Sequence, residues 1–368
     1  MRLLDKATAI GMCLCSCLVA KDSYPVACSA FNGRGDAAAV TIADRKLSLQ
    51  ITPVAGGKPL SLSALISDDG LIGCGVFFDR SSRYVAVGVS HLGLKTGPLN
   101  ITVADLMTNT LVSSFVVKGN ADVGVSPKLA GFLPGSAVLV VLGTGAADHP
   151  TKSFSTTLFG VTGEQEKPSQ TRTLPADAGS VGNVSFVDVV HNRLWFKSSP
   201  QFCPLRSVPL IDNGPEGVNV DEASARAACD VGSAIAYPDE STLIVAVTRD
   251  SGDLVTRIDL VQHKVDEITL QNTEGRGRYT SVGRGVLSAD GEVFAITRIL
   301  LANSPLGDAH SYGTELDVVQ VSPLKMIAKV RLKPDTDTAS ISIARRNGAV
   351  TVLSFGDGRW SFETLKSE

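Results

Sequence analysis

Side chains able to do chemistry are few in this sequence, and they cluster in loops. Of five histidines, three lie in long polar segments: His91 in SHLGLKTGPLN, His149 in TGAADHPTKS and His310 in PLGDAHSYG, with Asp148 and Asp308 beside the last two. Neutral imidazoles near carboxylates can ligate a transition metal or move protons, since histidine alone titrates near neutrality when unperturbed. Which metal that would be is unknown from sequence. A second group gathers in QNTEGRGRYTSVGRG, where Arg276, Arg278, Tyr279 and Arg284 stand among glycines, with Arg249 and Arg298 at strand ends. Guanidinium forks beside glycine-freed backbone suit a carboxylate or phosphate on a ligand. The plainer reading of both groups is solvated loop polarity and surface charge. His191 and His263 fall in short turns and read as structural.

Several other patterns carry less. Arg34-Gly35-Asp36 matches a cell-adhesion tripeptide, but a chance match in a Gly-rich segment explains it. Asn100-Ile101-Thr102 and Asn183-Val184-Ser185 are glycosylation sequons that matter only on a eukaryotic secretory route. Asp335 and Asp337 have a faintly calcium-like spacing without the rest of a loop. There is no GxxxxGK[ST], no strand-preceded dinucleotide fingerprint and no GxSxG, so no cofactor is expected and binding is favoured over catalysis.

The elements that would position these residues are strands. The chain has 368 residues, 43% hydrophobic and 19% charged, with a formal net charge of -3. That balance gives ample core and no electrostatic bias towards nucleic acid, which is not expected as a partner. Val, Thr, Ser, Leu and Gly dominate while aromatics are only 5%, the composition of short strands joined by glycine-containing turns. The clearest unit runs from Val286 to Leu332: VLSADG, EVFAITRIL, a loop, ELDVVQVSP, then KMIAKVRL. Each piece is strand-length and bounded by turn residues, Asp290-Gly291 and Ser322-Pro323 among them. Related units begin near Gly75, Lys128, Val184 and Ala234, and a last, three-stranded one runs from Ala339 to Leu365.

Units spaced by roughly 50 residues fall in the range of propeller blades. The expected fold is therefore all-β, a β-propeller of four-stranded antiparallel blades. Six blades are counted, seven if Ala39 to Ile66 contributes more than one strand. The short last unit predicts closure by an N-terminal strand, which would remove an exposed edge. The first-to-second turns are short (Arg80-Ser81-Ser82, Pro134-Gly135-Ser136, Asp290-Gly291, Asn347-Gly348) and several second-to-third loops are long, so the long-loop face is the candidate binding surface.

SADGEVFAI and DRSSRYVAVGV resemble the S-x-D-G-x-x-x-x-V openings of bacterial propellers of the YVTN, TolB-like and WD40-like superfamily, over most of the chain after about residue 37. The resemblance implies fold alone. The chain lacks the Trp-Asp dipeptide of WD40 blades, the YVTN tetrapeptide and the repeated Asp-box of sialidases, so no functional residue transfers.

At the N-terminus, Arg2 and Lys6 precede an uncharged run from Ala7 to Ala20. It is too short for a hydrocarbon core that needs roughly 20 residues and reads as a signal peptide over 1–20. Cleavage could follow Ala20 or Ala30; Cys17 offers an alternative lipid anchor. No membrane span is expected. Residues 21–36 then form a flexible N-terminal segment and 37–368 a single propeller domain. Without the leader, Cys28, Cys74, Cys203 and Cys229 remain, enough for two disulfides in an oxidising compartment, with Cys203–Cys229 the preferred pair; buried free thiols are the alternative. The combined expectation is a secreted, periplasmic or cell-envelope propeller that binds a protein or glycan through its long-loop face. The alternative is a metal-dependent small-molecule hydrolase or lyase using the loop histidines.

Overall fold

The alternating runs become twenty-six strands in a computed structural model that describes residues 25–54, 59–66, 72–91, 97–119, 125–145, 153–174, 184–197, 205–212, 234–239, 241–248, 252–270, 278–303 and 309–366. Among these residues the strands form seven antiparallel sheets, each an up-and-down meander. The first blade holds β1 (Val26–Phe31), β2 (Ala37–Ala43), β3 (Lys46–Thr52) and β4 (Leu60–Leu65). The second holds β5 (Ile72–Phe78), β6 (Tyr84–His91), β7 (Leu99–Asp105) and β8 (Thr110–Val117). The third holds β9 (Val125–Phe132), β10 (Val138–Gly145), β11 (Ser153–Gly160) and β12 (Gln165–Thr173). The fourth has three described strands, β13 (Val184–Asp188), β14 (Arg193–Lys197) and β15 (Leu205–Pro209). The fifth holds β16 (Ala234–Asp239), β17 (Thr242–Val247), β18 (Asp253–Asp259) and β19 (Lys264–Leu270). The sixth holds β20 (Arg278–Leu287), β21 (Val293–Asn303), β22 (Ala309–Gln320) and β23 (Lys325–Arg331). The seventh has three, β24 (Asp337–Arg346), β25 (Ala349–Gly356) and β26 (Arg359–Lys366).

Turn chemistry sets the registers. Asp44 and Arg45, Asn347 and Gly348, and Asp357 and Gly358 all have positive φ at both central positions, the two-residue hairpin whose twist matches the flanking strands. In the longer turns an aspartate at the strand end caps the following amides: Asp79 accepts from the N–H groups of Ser81 and Tyr84, Asp105 from Met107, and Asp259 from Val261 and Gln262. Such side-chain caps give the backbone a turn in place of a continued ladder. Asn109, Asn192 and His263 take the left-handed position in their turns.

First strands line the axis, because β1 packs against both β5 and β24, and β20 against both β16 and β24. The core is accordingly a set of apolar layers between blades. Val40, Leu47 and Leu49 meet Val85 and Val87 between the first and second. Val140 and Phe154 meet Leu194 and Phe196 between the third and fourth. Val293, Leu316 and Val318 meet Ile343 and Val352 between the sixth and seventh. Each such buried side chain contributes roughly 1.5–3 kcal/mol, and no blade could bury its two faces alone. At the second-to-third interface the backbones come so close that a β-carbon on Gly88 would lie 2.5 Å from Leu129 Cβ.

The ring has seven blades, the larger of the two counts expected, because Val26 to Leu65 supplies a whole first blade. The predicted closing strand is corrected: among the described residues no N-terminal strand joins the seventh sheet, and β1, β2, β3 and β4 pair with one another. Closure instead comes from packing the first blade on the last. Ala37 and Ala39 lie against Leu353, Phe31 and Trp360. The Ser29 hydroxyl donates to the Ser340 carbonyl at 2.6 Å and meets Ser342 at 2.7 Å, and the Trp360 indole donates to Thr41 Oγ1 at 3.0 Å. Small side chains at 37 and 39 permit this approach, which strand counting alone does not reveal.

A disulfide joins Cys28 on β1 to Cys74 on β5, across a sequence separation of 46, stapling the first two blades at the axis. Cys203 and Cys229 lie outside the described residues. In the loop-entropy account a cross-link of this span is worth about 4 kcal/mol. A Cys28→Ala/Cys74→Ala double variant is therefore expected to lower the urea unfolding free energy by about that amount; an unchanged midpoint would show the staple contributes nothing.

Candidate functional site

The meander places first-to-second and third-to-fourth connections on one face, and second-to-third and inter-blade connections on the other. On the first face, first-to-second connections run two to five residues and third-to-fourth ones four, except residues 53–59 in the first blade. On the second, the second-to-third connection is two residues in the first and seventh blades (Asp44-Arg45, Asp357-Gly358), five in the fifth and sixth, and seven in the second, third and fourth. The expected contrast between faces thus holds in the second, third and fourth blades and is lost elsewhere.

The three loop histidines occupy this long-loop side in different blades. His91 ends β6 opposite Ile72, and His310 opens β22 opposite Ala302; His149 belongs to the β10–β11 connection, outside the described residues, as do Asp148 and Asp308. The blades concerned are the second, third and sixth, so ring order separates His310 from the other two by three blades. No group of three or more histidine, cysteine, aspartate or glutamate side chains suited to a metal occurs among the described residues.

The described members of the arginine group are spread along β20 and β21. Arg278 and Tyr279 begin β20 at the long-loop side, whereas Arg284 is six residues further along, about 20 Å at a strand's rise. Its guanidinium reaches across to the Ala339 carbonyl on β24. Burial lowers the Arg284 pKa from the ordinary arginine value, against the attraction of Asp337. Arg249 and Arg276 lie outside the described residues.

Arg298 is mid-strand on β21 and 1% exposed, the centre of the most concentrated buried charge in the described chain. Its Nε donates to Asp253 Oδ2 at 2.6 Å, Nη1 to Asp317 Oδ2 at 2.8 Å, and Nη2 to Thr280 Oγ1 at 3.1 Å and to the Leu270 carbonyl at 3.2 Å. Thr280 in turn donates to Asp253 at 2.6 Å. Asp253 belongs to the fifth blade and the rest of the side chains to the sixth, so this cluster locks two blades together. Lys329 pairs with Glu315 at 2.7 Å at its rim. One guanidinium faces two buried carboxylates, and Oδ1 of both Asp253 and Asp317 finds no partner among the described residues. Burial pushes the Asp317 carboxyl above its ordinary pKa, opposed by the Arg298 guanidinium. The sequence reading placed Arg298 at a strand end; the signal for its role was a charged residue inside the apolar run VFAITRILL.

Smaller motifs resolve into structure. His191 meets Asp188 Oδ2 at 2.5 Å within its own turn. Asn100 is buried on β7 at 6% exposure, which closes that sequon to modification of the folded chain; Asn183 lies outside the described residues. Arg34 and Asp36 pair with each other, Arg34 also donates to the Ser82 carbonyl, and Asp36 accepts from Asn32 and Val54, so the tripeptide serves as a β1–β2 turn. Asp335 shares a hydrogen bond with Asp357, which raises the pKa of the Asp357 carboxyl, while Asp337 caps the Ala339 amide. A cavity of about 490 Å³ between the first and second blades, on the tight-turn face, is lined by Ile51, Pro53, Leu60 and Leu106 with the Arg34–Asp36 pair.

No protein-family model matches the chain, and no curated protein matches it. Among solved structures it is similar to the C-terminal WD40 domain of Sif2, at 11% identity and a TM-score of 0.52, covering 95% of this chain and 98% of that one. It is also matched with the Dos1 propeller (11% identity, 92% of each chain, TM-score 0.44) and with TolB from Acinetobacter baumannii (15% identity, 94% of this chain and 64% of that one, TM-score 0.34), both too loose in superposition to carry argument. No described helix is long and apolar enough to cross a membrane. In fold the protein is a seven-bladed β-propeller.

Removing the Arg298 charge strands two buried carboxylates, which costs about 3–5 kcal/mol; Arg298→Met is expected to lose that much in chemical denaturation, and replacing Asp253 and Asp317 by leucine as well to recover most of it. The raised folded pKa of Asp317 also fixes a sign. Its contribution is full below the unfolded value of about 3.9 and is lost as pH rises through the folded value. Asp317→Asn should abolish that decline, and a variant whose stability falls in parallel with the parent would refute the assignment.

Proposed function

We propose that this chain is an exported propeller that binds a protein or glycan partner through its long-loop face and does no chemistry of its own. The observation that carries the reading is the asymmetry of the second, third and fourth blades, whose first-to-second turns are four or five residues and whose second-to-third connections are seven, held by a scaffold of packed layers. Export is supported by the Cys28–Cys74 bond, since such bonds persist in oxidising compartments, and by the basic-then-apolar leader ending near Ala20. Of the two cleavage points, the one after Ala30 would remove most of β1 and with it Cys28, so cleavage near Ala20 is the one compatible with the ring. Cys203–Cys229 would be the second disulfide, because the first is already made. A secreted, periplasmic or envelope-bound location follows from these points. The metal-dependent alternative needs histidines from the second, third and sixth blades at one ion, and their separation around the ring counts against it.

Replacing the β6–β7 and β10–β11 connections with two-residue Asn-Gly turns tests the surface. The expected result is a folded protein with unchanged melting point that no longer binds purified envelope proteins or glycans retained by the parent. Retained binding would move the site elsewhere, and near-stoichiometric stabilisation of the parent by a divalent ion would favour the alternative.

A further inference from the structure

Turns of the first two blades meet around the cavity of about 490 Å³ on the face that carries the first-to-second and third-to-fourth connections. Residues 53–59 form the longest connection on that face, with a proline at each end, Pro53 and Pro59. These prolines, Ile51 at the end of β3 and Leu60 at the start of β4 supply apolar lining from the first blade, and Leu106 in the β7–β8 turn supplies it from the second. Ile51 is buried, and Leu60 and Leu106 pack on the same core layer, so this lining is anchored in the scaffold. Next in the β7–β8 turn stands Met107, 76% exposed.

The β1–β2 turn builds a polar edge. Asn32, 3% exposed, accepts from the amides of Arg34 and Asp36 at 2.9 Å each and donates to Asp36 Oδ2 at 2.9 Å. The Asp36 carboxylate is spent on the chain's own donors: Oδ2 on Asn32 and on Arg34 Nε at 3.4 Å, and Oδ1 on the Val54 amide at 3.1 Å. Arg34 is only partly spent. Its Nη2 donates to the Ser82 carbonyl at 2.9 Å, which ties the first blade to the second, while Nη1 finds no partner among the described residues and the side chain is 61% exposed. Ser61 and Asn109 add neutral polar groups. The lining therefore offers unspent cationic donors and no unspent carboxylate.

We propose that this cavity binds a small amphipathic carboxylate, an apolar chain ending in one carboxylate group, with the carboxylate on Arg34 and the chain against Ile51, Leu60 and Leu106. A cavity of this volume, apolar with a few placed polar groups, is the usual form of a small-molecule site. Hydrogen bonds from a guanidinium to a carboxylate are about twice as strong as neutral ones, so the acid is preferred to the alcohol of the same chain. A cationic head would meet Arg34 with no free carboxylate to receive it. This site lies on the face opposite the long loops, so its failure leaves the reading above untouched.

Isothermal titration of the purified full-length protein with decanoate, decanol and decyltrimethylammonium at neutral pH tests the proposal. Decanoate is expected to bind at one equivalent and more weakly as salt is raised. The other two should bind at least about tenfold more weakly, the equivalent of one charge-assisted hydrogen bond. Arg34→Gln should lose that margin for decanoate and leave decanol unchanged, and Ser61→Trp, which fills the cavity from an exposed position on β4, should abolish binding of both. Circular dichroism and melting establish that the variants fold. Should either fail, the parent decides: the head-group ranking stands without a variant, and methyl nuclear Overhauser contacts from decanoate should reach Ile51, Leu60 and Leu106. No saturable binding, more than one equivalent, equal affinity for the three head groups, or contacts only to other residues would overturn the proposal.

Discussion

Everything in this molecule depends on side-to-side packing of twisted sheets around an axis. A single four-stranded sheet with two apolar faces must bury both against other elements, so each blade is a partner to the one before and the one after. The last blade must therefore find the first. It does so through alanines at 37 and 39, which let β2 come close to Leu353 and Trp360, and through the serine hydroxyls at 29 and 342. A shared closing strand would fix such a seam by backbone hydrogen bonds; among the described residues it is held by shape and by a few side-chain bonds.

That choice has consequences around the ring. The first blade is complete in itself, the seventh has three described strands, and polar residues on β3 and β4 stand where β7 of the second blade is buried throughout. The staple at Cys28–Cys74 reinforces the axis next to the seam. The heaviest polar investment lies at the interface between the fifth and sixth blades, where Arg298 draws together carboxylates from both. Buried charge of this kind is a poor source of net stability but a strict condition on geometry, since only one arrangement of the blades satisfies the guanidinium fork.

Much of the fold was legible in the sequence because the strand alternation and turn residues are local. The units around Asp290-Gly291 and Asn347-Gly348 are read directly, and the contrast between short and long connections with them. The first blade was only partly legible because Ala37, Ala38 and Ala39 have low strand propensity and are strand residues here through tertiary packing. Arg298 was misplaced for a similar reason: its partners Asp253 and Asp317 are distant in sequence, and no local pattern links them. His91, His149 and His310 share residue type and loop position, but no local pattern shows that they belong to the second, third and sixth blades. What the sequence could tell was which face carries long connections; which of them act together is set by blade order.

The packed seam between chain ends is the central claim, and amide exchange in an Ala39→Glu variant tests it most directly. A carboxylate there would be buried against Leu353 and Trp360 with no partner, at a cost of several kcal/mol. If the ends are mutually dependent, residues Val26–Thr52 and Asp337–Lys366 lose protection together, although some three hundred residues of sequence separate them. Loss confined to Val26–Thr52, with Asp337–Lys366 as protected as in the parent, would contradict closure of the ring by the first blade.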